Sequence, residues 1–290
     1  MAKSSPVSYR SAESQAQHAV RELGLSSQGT ERNYEQALTG VAGFLKDMGL
    51  QGGLHRELNT ATAEMYLQIR SEEVGQKTLD LDRQAIQAVL GEKLEVIKSE
   101  REQILESRAY TSEQVQMVAG AQSERNALAT QIAENAGLRA HELLTLRPVE
   151  ERAADTHREY RDDRFAGRDN VAIYTVEGKG GLCREVAIDK ELAAKLEDRR
   201  FETSQQVYDR GIGYQQTYDI GGGKNWSDSF SKASDRELGW SNGAHGVRHE
   251  YAQERMNTLQ GAGYEYKEAL EVVSQEMGHF RPDITEVYLR

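Results

Sequence analysis

Asn170-Val171-Ala172-Ile173-Tyr174-Thr175-Val176-Glu177-Gly178-Lys179-Gly180-Gly181-Leu182-Cys183-Arg184-Glu185-Val186-Ala187-Ile188 is the stretch of this 290-residue sequence that breaks an otherwise helical pattern. Val171, Ile173 and Thr175 alternate with their neighbours before the glycines, and Val186 and Ile188 resume the alternation after them. A period of two interrupted by glycines is the pattern of a β-hairpin. The reading predicts a hairpin with Lys179 at its tip. Upstream, Leu138, Leu143, Leu144 and Leu146 read as the apolar side of a buried helix, with Arg139 on another face. Downstream of Glu191 helical spacing returns, interrupted by Gly221-Gly222-Gly223, and runs to the end.

Further out, Thr111-Ser112-Glu113-Gln114 is a helix start, an N-cap threonine with acid in the first turn, and the helical pattern continues to Ala136. Over the first 110 residues the helical spacing is nearly continuous, as in Ala37, Val41, Phe44 and Leu45 and again in Ala63, Tyr66, Leu67 and Ile69. Four or five helices are expected there. The charge-rich segment from Lys93 to Arg108, with a narrow stripe at Leu94, Ile97 and Ile104, reads as an extended helix leading into a second domain. The expected fold is mainly α with a small β-sheet or hairpin, in two domains, 1–109 and 110–290.

Composition bounds the function. Hydrophobic residues are 38% and charged residues 29%, enough for real cores under a solvated exterior, as in a soluble globular protein. No apolar run approaches the roughly 20 residues that span a bilayer, and the N-terminal stretch has no apolar signal region. With a single cysteine, Cys183, the chain suits a reducing cytosol, and a cytoplasmic location is expected. The net charge of −11 argues against nucleic acid as a partner. Neither part is basic: Lys and Arg number 13 against 16 acids over residues 1–110, and 23 against 31 over the rest. Any surface for DNA must therefore be a local patch.

Four separated motifs carry the chemistry: Gly137-Leu138-Arg139-Ala140-His141-Glu142, Gly178-Lys179-Gly180-Gly181, His245-Gly246-Val247-Arg248-His249, and Met277-Gly278-His279 leading to Tyr288. Each alone is commonplace. Together and in this order the chain resembles the tyrosine recombinases, or phage integrases. There an arginine follows a Gly-Leu pair, a lysine sits on a β-hairpin, His-x-x-Arg opens a helix, and Gly-His precedes the nucleophilic tyrosine. The resemblance is weak over the first domain and strong over Thr111–Tyr288. It implies a helical, SAM-like core-binding domain at 1–109, a mixed α/β catalytic domain at 110–290, double-stranded DNA as substrate, and a homotetramer on recombining sites. The catalytic residues it implies are Arg139, Lys179, His245, Arg248, His279 and Tyr288, with no cofactor and no metal.

Those residue types suit the reaction on physical grounds. Attack on a phosphodiester puts negative charge on the nonbridging oxygens, which preorganised cations stabilise. Arg139 and Arg248 offer planar forks of donors that a lysine cannot imitate. Tyrosine phenols ionise near pH ~10, so the attacking group needs a base, for which His245 is the candidate. Lys179 can protonate the departing 5′-oxygen. The resemblance gives His279 a hydrogen bond to a nonbridging oxygen. Glu142, three residues after Arg139, is expected beside it on a helix surface, fixing the guanidinium. His249 reads equally as packing or as a phosphate contact. The mixed run Arg158-Glu159-Tyr160-Arg161 and Asp162-Asp163-Arg164 reads as a solvated face.

Many relatives continue past the tyrosine into a tail that packs on a neighbouring subunit, whereas this sequence stops at Arg290. The stretch before Gly29 is short for a further arm-type DNA-binding domain, though long enough for a helix. A type IB topoisomerase, and a DNA-binding regulator of the same fold that no longer cuts, are the alternatives. The regulator's mark would be loss of a catalytic residue, and none is missing.

Overall fold

The Thr30 N–H donates to Ser27 Oγ, and Asn59 and Thr62 exchange side-chain and backbone hydrogen bonds in a capping box. Helices thus start where the sequence offers caps. The computed structural model describes residues 11–102 and 106–290, and the chain divides into two units, Met1–Ile104 and Leu105–Arg290. The described part of the first unit holds α1 (Ala12–Leu23), α2 (Gln28–Asp47), α3 (Gly53–Glu57), α4 (Thr60–Glu73) and α5 (Gln76–Leu90). Packing of α2 on α1 and α5, and of α4 on α5, buries Leu38, Val41, Leu45, Leu67, Leu79 and Ile86. Each such side chain contributes about 1.5–3 kcal/mol. Ile69, counted above in the apolar stripe, is 49% exposed instead.

The expected helix from Lys93 to Arg108 does not form over its described residues, and Ile104 lies outside them. Leu94 is buried in the first unit's core. The Ser99 N–H donates to Gln76 Oε1 at 2.8 Å and the Glu100 N–H to Ser71 O at 3.0 Å. Donors bonded to α4 and α5 are lost to a helical ladder, so the segment runs as a strap along the bundle.

In the second unit the helical pattern from Thr111 to Ala136 is two helices, α6 (Ser112–Gly120) and α7 (Glu124–Ala136). Gln122 occupies the break, accepting from Thr130 Oγ1 and donating to Ser229 Oγ. The hairpin forms as expected: β2 (Val171–Glu177) pairs antiparallel with β3 (Cys183–Asp189), and β1 (Arg147–Pro148) adds a third strand. After α8 (Lys190–Glu197), the helical expectation fails. A second hairpin, β4 (Arg200–Asp209) with β5 (Ile212–Tyr218), stands there. Its alternation is of Gln, Thr, Ser and Tyr rather than of apolar residues, which hides a strand from a hydrophobic reading.

The chain closes with α9 (Gly223–Leu238), α10 (Gly246–Gly261), α11 (Tyr266–Glu276), α12 (Pro282–Thr285) and a 3-10 turn, Glu286–Leu289. One core gathers Ile132 of α7, Val176, Val186 and Ile188 of the sheet, and Trp226 and Phe230 of α9. Another gathers Tyr251, Met256, Leu270, Val273 and Met277 and includes Tyr288. Packing of α10 against α7, α11 and the C-terminal turn brings three of the motifs together. No helix among the described residues is long and apolar enough to cross a membrane.

Candidate active site

Gly137 ends α7 with φ 60°, and a Cβ there would lie 2.5 Å from the Tyr251 ring. Only glycine meets both conditions without strain. Gly137→Ala is therefore expected to lower unfolding free energy by roughly 3 kcal/mol, read from the urea midpoint. An unchanged midpoint would remove the steric account of this turn.

Beyond Gly137, whose left-handed backbone ends α7, the expected helix is replaced by a 3-10 turn, Glu142–Leu144. Glu142 accordingly is not on a helix surface; it is fully buried. Its carboxylate accepts from the Arg139 N–H and from Arg139 Nη1, both at 2.8 Å, and from Arg184 Nη2 at 3.1 Å. Arg248 Nη1 lies 3.7 Å away. Burial works against ionisation, but Arg184, Arg248 and Arg139 outweigh it and hold the carboxyl down at about 2. The expected partnership with Arg139 exists, inside a larger cluster.

Arg248 is fully buried at the start of α10. Nη1 donates to Gly137 O, while Nη2 reaches Met277 O and His279 Nε2, both at 3.2 Å. Its Nε has no partner among the described residues. Burial, then Arg139, lowers its pKa to about 10, which still leaves it charged at neutral pH. His279 follows Gly278, at φ 71°, and its Nδ1 sits 2.9 Å from Thr285 Oγ1. If Arg248 donates to Nε2, the ring proton is on Nδ1, and Thr285 accepts it.

Tyr288 is 8% exposed, its ring centroid 4.6 Å from His249, 5.0 Å from His279 and 5.3 Å from His245. Arg248 Cζ is 5.6 Å from the ring centre. His249, undecided from sequence, thus belongs to the tyrosine's seat: its ring packs on that of Tyr288, whose carbonyl accepts from Gln253 one turn on. Lys179 is exposed at the hairpin tip and lines a cavity of about 370 Å³ with Gly278 and His279. Arg139, Glu142, His245, Arg248, His279 and Tyr288 are therefore linked through direct contacts, and Lys179 flanks them across that cavity.

Two findings correct or extend the sequence reading. The mixed run at 158–164 is not a plain solvated face, because Arg161 pairs with Asp163 and Glu271, and Arg164 with Glu185 while lying over Tyr160. Arg184, unremarked from sequence, is buried beside Glu142. The period of the hairpin could have found it, since Arg184 shares a strand face with Val186 and Ile188.

Burial, with Arg248 and Arg139 next, lowers the pKa of His279 to about 3. Burial, then Arg108, lowers that of His249 to about 4. His245 is pushed down to about 4 by burial, Arg248 and His249, a shift that solvent weakens because this ring is exposed. All three are neutral at pH 7. The unfolded chain, with imidazoles near 6.5, takes up protons that the folded one refuses. Stability is then fully present above pH 6.5 and falls as pH drops toward about 4. The urea midpoint is expected to decline from pH 7 to pH 5, and His249→Leu to flatten that decline. A midpoint constant over this range would contradict the neutral state of His249 and His279 in the folded chain.

No family model matches the sequence, and a search of curated proteins found no match. Solved structures do resemble it. XerH site-specific recombinase bound to palindromic difH substrate, in a post-cleavage complex, aligns with TM-score 0.61 and 14% identity, over 96% of this chain and 81% of that one. A lambda integrase dimer bound to a COC′ core site aligns with TM-score 0.54 and 15% identity, over 94% and 96%. A lambda integrase tetramer bound to a Holliday junction gives 0.55 and 14%, over 93% and 75%. With these likenesses covering nearly its whole length, the chain has the tyrosine recombinase fold.

Proposed function

We propose that this protein is a site-specific DNA recombinase that cleaves and rejoins strands through a 3′-phosphotyrosyl link to Tyr288. The observation that carries the reading is the Tyr288 ring seated against His245, His249 and His279, 5.6 Å from the Arg248 guanidinium. A nucleophile, a base and a phosphate clamp meet at one place.

In this reading the scissile phosphate binds Arg139 and Arg248. Arg139 is anchored through Nη1 to Glu142, with its side chain 24% exposed toward a ligand. The Tyr288 oxygen attacks phosphorus as its proton passes to His245, which is neutral and so able to accept it. The bond to the 5′-oxygen breaks, and that oxygen takes a proton from Lys179. His279 donates to a nonbridging oxygen once its ring proton moves from Nδ1 to Nε2, which the Thr285 hydroxyl permits by changing from acceptor to donor. The covalent link conserves the energy of the broken bond, so a second 5′-hydroxyl can reverse the attack without ATP.

Residues 1–109 serve as the core-binding, SAM-like half and 110–290 as the catalytic half, and four copies assemble on paired sites. The test is incubation with a pool of nicked random duplexes, followed by denaturing electrophoresis. A protein–DNA band that survives denaturant is expected. DNA binding without that band would indicate a silent regulator of the same fold; with a supercoiled plasmid as a second substrate, relaxation without strand exchange would indicate a topoisomerase.

A further inference from the structure

Arg184, five residues past Lys179 on β3, points into the core and is 1% exposed. A buried guanidinium is costly unless its charge and donors are used. Only Nη2 is bonded, to Glu142 Oε2; Nε and Nη1 have no partner among the described residues. Among the described residues Glu142 is the one carboxylate within 4.0 Å of Arg139, Arg184 and Arg248, so three guanidinium charges share a single acid. Its position suggests what it does.

The stem of Arg184 runs under the turn that precedes His279: a Cβ on Gly278 would come within 2.6 Å of Arg184 Cδ and Nε. From the opposite strand end, Gly178 covers the same carboxylate, where a Cβ would lie 3.3 Å from Glu142 Oε1 and 4.0 Å from Arg139 Nη1. The Gly178 N–H donates to Leu182 O at 2.7 Å and closes the loop that carries Lys179. One leg of the hairpin is thus tied at its base to Glu142 by the Arg184 ion pair, and the other passes beside the same carboxylate at Gly178. Lys179 itself is exposed.

We propose that Arg184 is a positioning residue that ties the base of the Lys179 hairpin to Glu142 and to the Gly278–His279 turn, and so aims the lysine at the departing oxygen. This rests on the reading of Lys179 as the acid. A purely structural arginine would affect stability and would be indifferent to the leaving group. A residue that aims the acid must matter less when no acid is needed. Sulfur departs unprotonated far more readily than oxygen, so a 5′-bridging phosphorothiolate separates the two cases.

The experiment compares Arg184→Met, Arg184→Lys and Lys179→Ala on duplexes with bridging oxygen or bridging sulfur, with DNA affinity as the check on folding. Lys179→Ala and Arg184→Met should each slow oxygen cleavage by roughly tenfold or more, the lysine change the larger, and sulfur should restore most of both losses. Arg184→Lys should fall between wild type and Arg184→Met. If Lys179→Ala is not rescued, the lysine is not the acid, and the inference falls with that reading. If Lys179→Ala is rescued while both Arg184 variants stay equally slow on sulfur, or cleave at wild-type rate on oxygen, the inference alone is overturned. Should Arg184→Met fail to fold, Arg184→Lys carries the same comparison.

Discussion

Tyr288→Phe is expected to abolish covalent attachment to nicked DNA, a loss of at least ~10³-fold in cleavage, with binding nearly intact. The change removes one hydroxyl and keeps the ring that packs on His249 at 4.6 Å and His279 at 5.0 Å. Gln253 bonds the Tyr288 carbonyl rather than the phenol, so the turn Glu286–Leu289 should stay docked. Stability and DNA affinity are therefore controls that should not move. The sulfur substrate should give no rescue, because a better leaving group does not replace a missing nucleophile. Persistent adduct in the variant would take Tyr288 out of the mechanism.

Arg248→Lys should be nearly as damaging, with cleavage slowed on the order of 10²–10³-fold, the usual cost of losing a donor aimed at developing charge. Two nitrogens of Arg248 serve Gly137 O, Met277 O and His279 Nε2, three points that a single ammonium cannot span. Charge is at risk as well. Burial and Arg139 already bring this guanidinium to about 10, and a lysine, which starts lower, would be driven toward its neutral form. Arg139→Lys keeps a more exposed charge, so its loss should be smaller. Single-turnover cleavage of a nicked duplex measures both, and near-wild-type rates would show the arginines to be structural.

What the sequence revealed of this fold follows from where apolar residues alternate. The β2–β3 hairpin was legible because Val171, Ile173, Val186 and Ile188 carry a period of two, and the helices of the first unit because Ala37, Val41 and Leu45, and then Ala63, Tyr66 and Leu67, recur at helical spacing. The β4–β5 hairpin was not, since both its faces are polar over most of its length. Residues 93–102 looked helical from their charges, but a strap held by Ser99 and Glu100 leaves no periodic trace. At the site, residue types and order named Arg139, Lys179, His245, Arg248, His279 and Tyr288. Burial was the hidden part. Glu142 looked like a surface acid and holds the centre of an arginine cluster, and His249 became meaningful only once the C-terminal turn docked on α10.

The central claim is that Tyr288 becomes joined to a 3′-phosphate, and the direct measurement is to identify that bond. The full chain is incubated with nicked random duplexes, the adduct is digested with protease, and the peptide left on the DNA is sequenced by mass spectrometry. The account predicts a C-terminal peptide modified at Tyr288, with the tyrosine esterified to a 3′-phosphoryl end and a free 5′-hydroxyl on the partner fragment. Attachment through another residue, or to a 5′-phosphate, would contradict it.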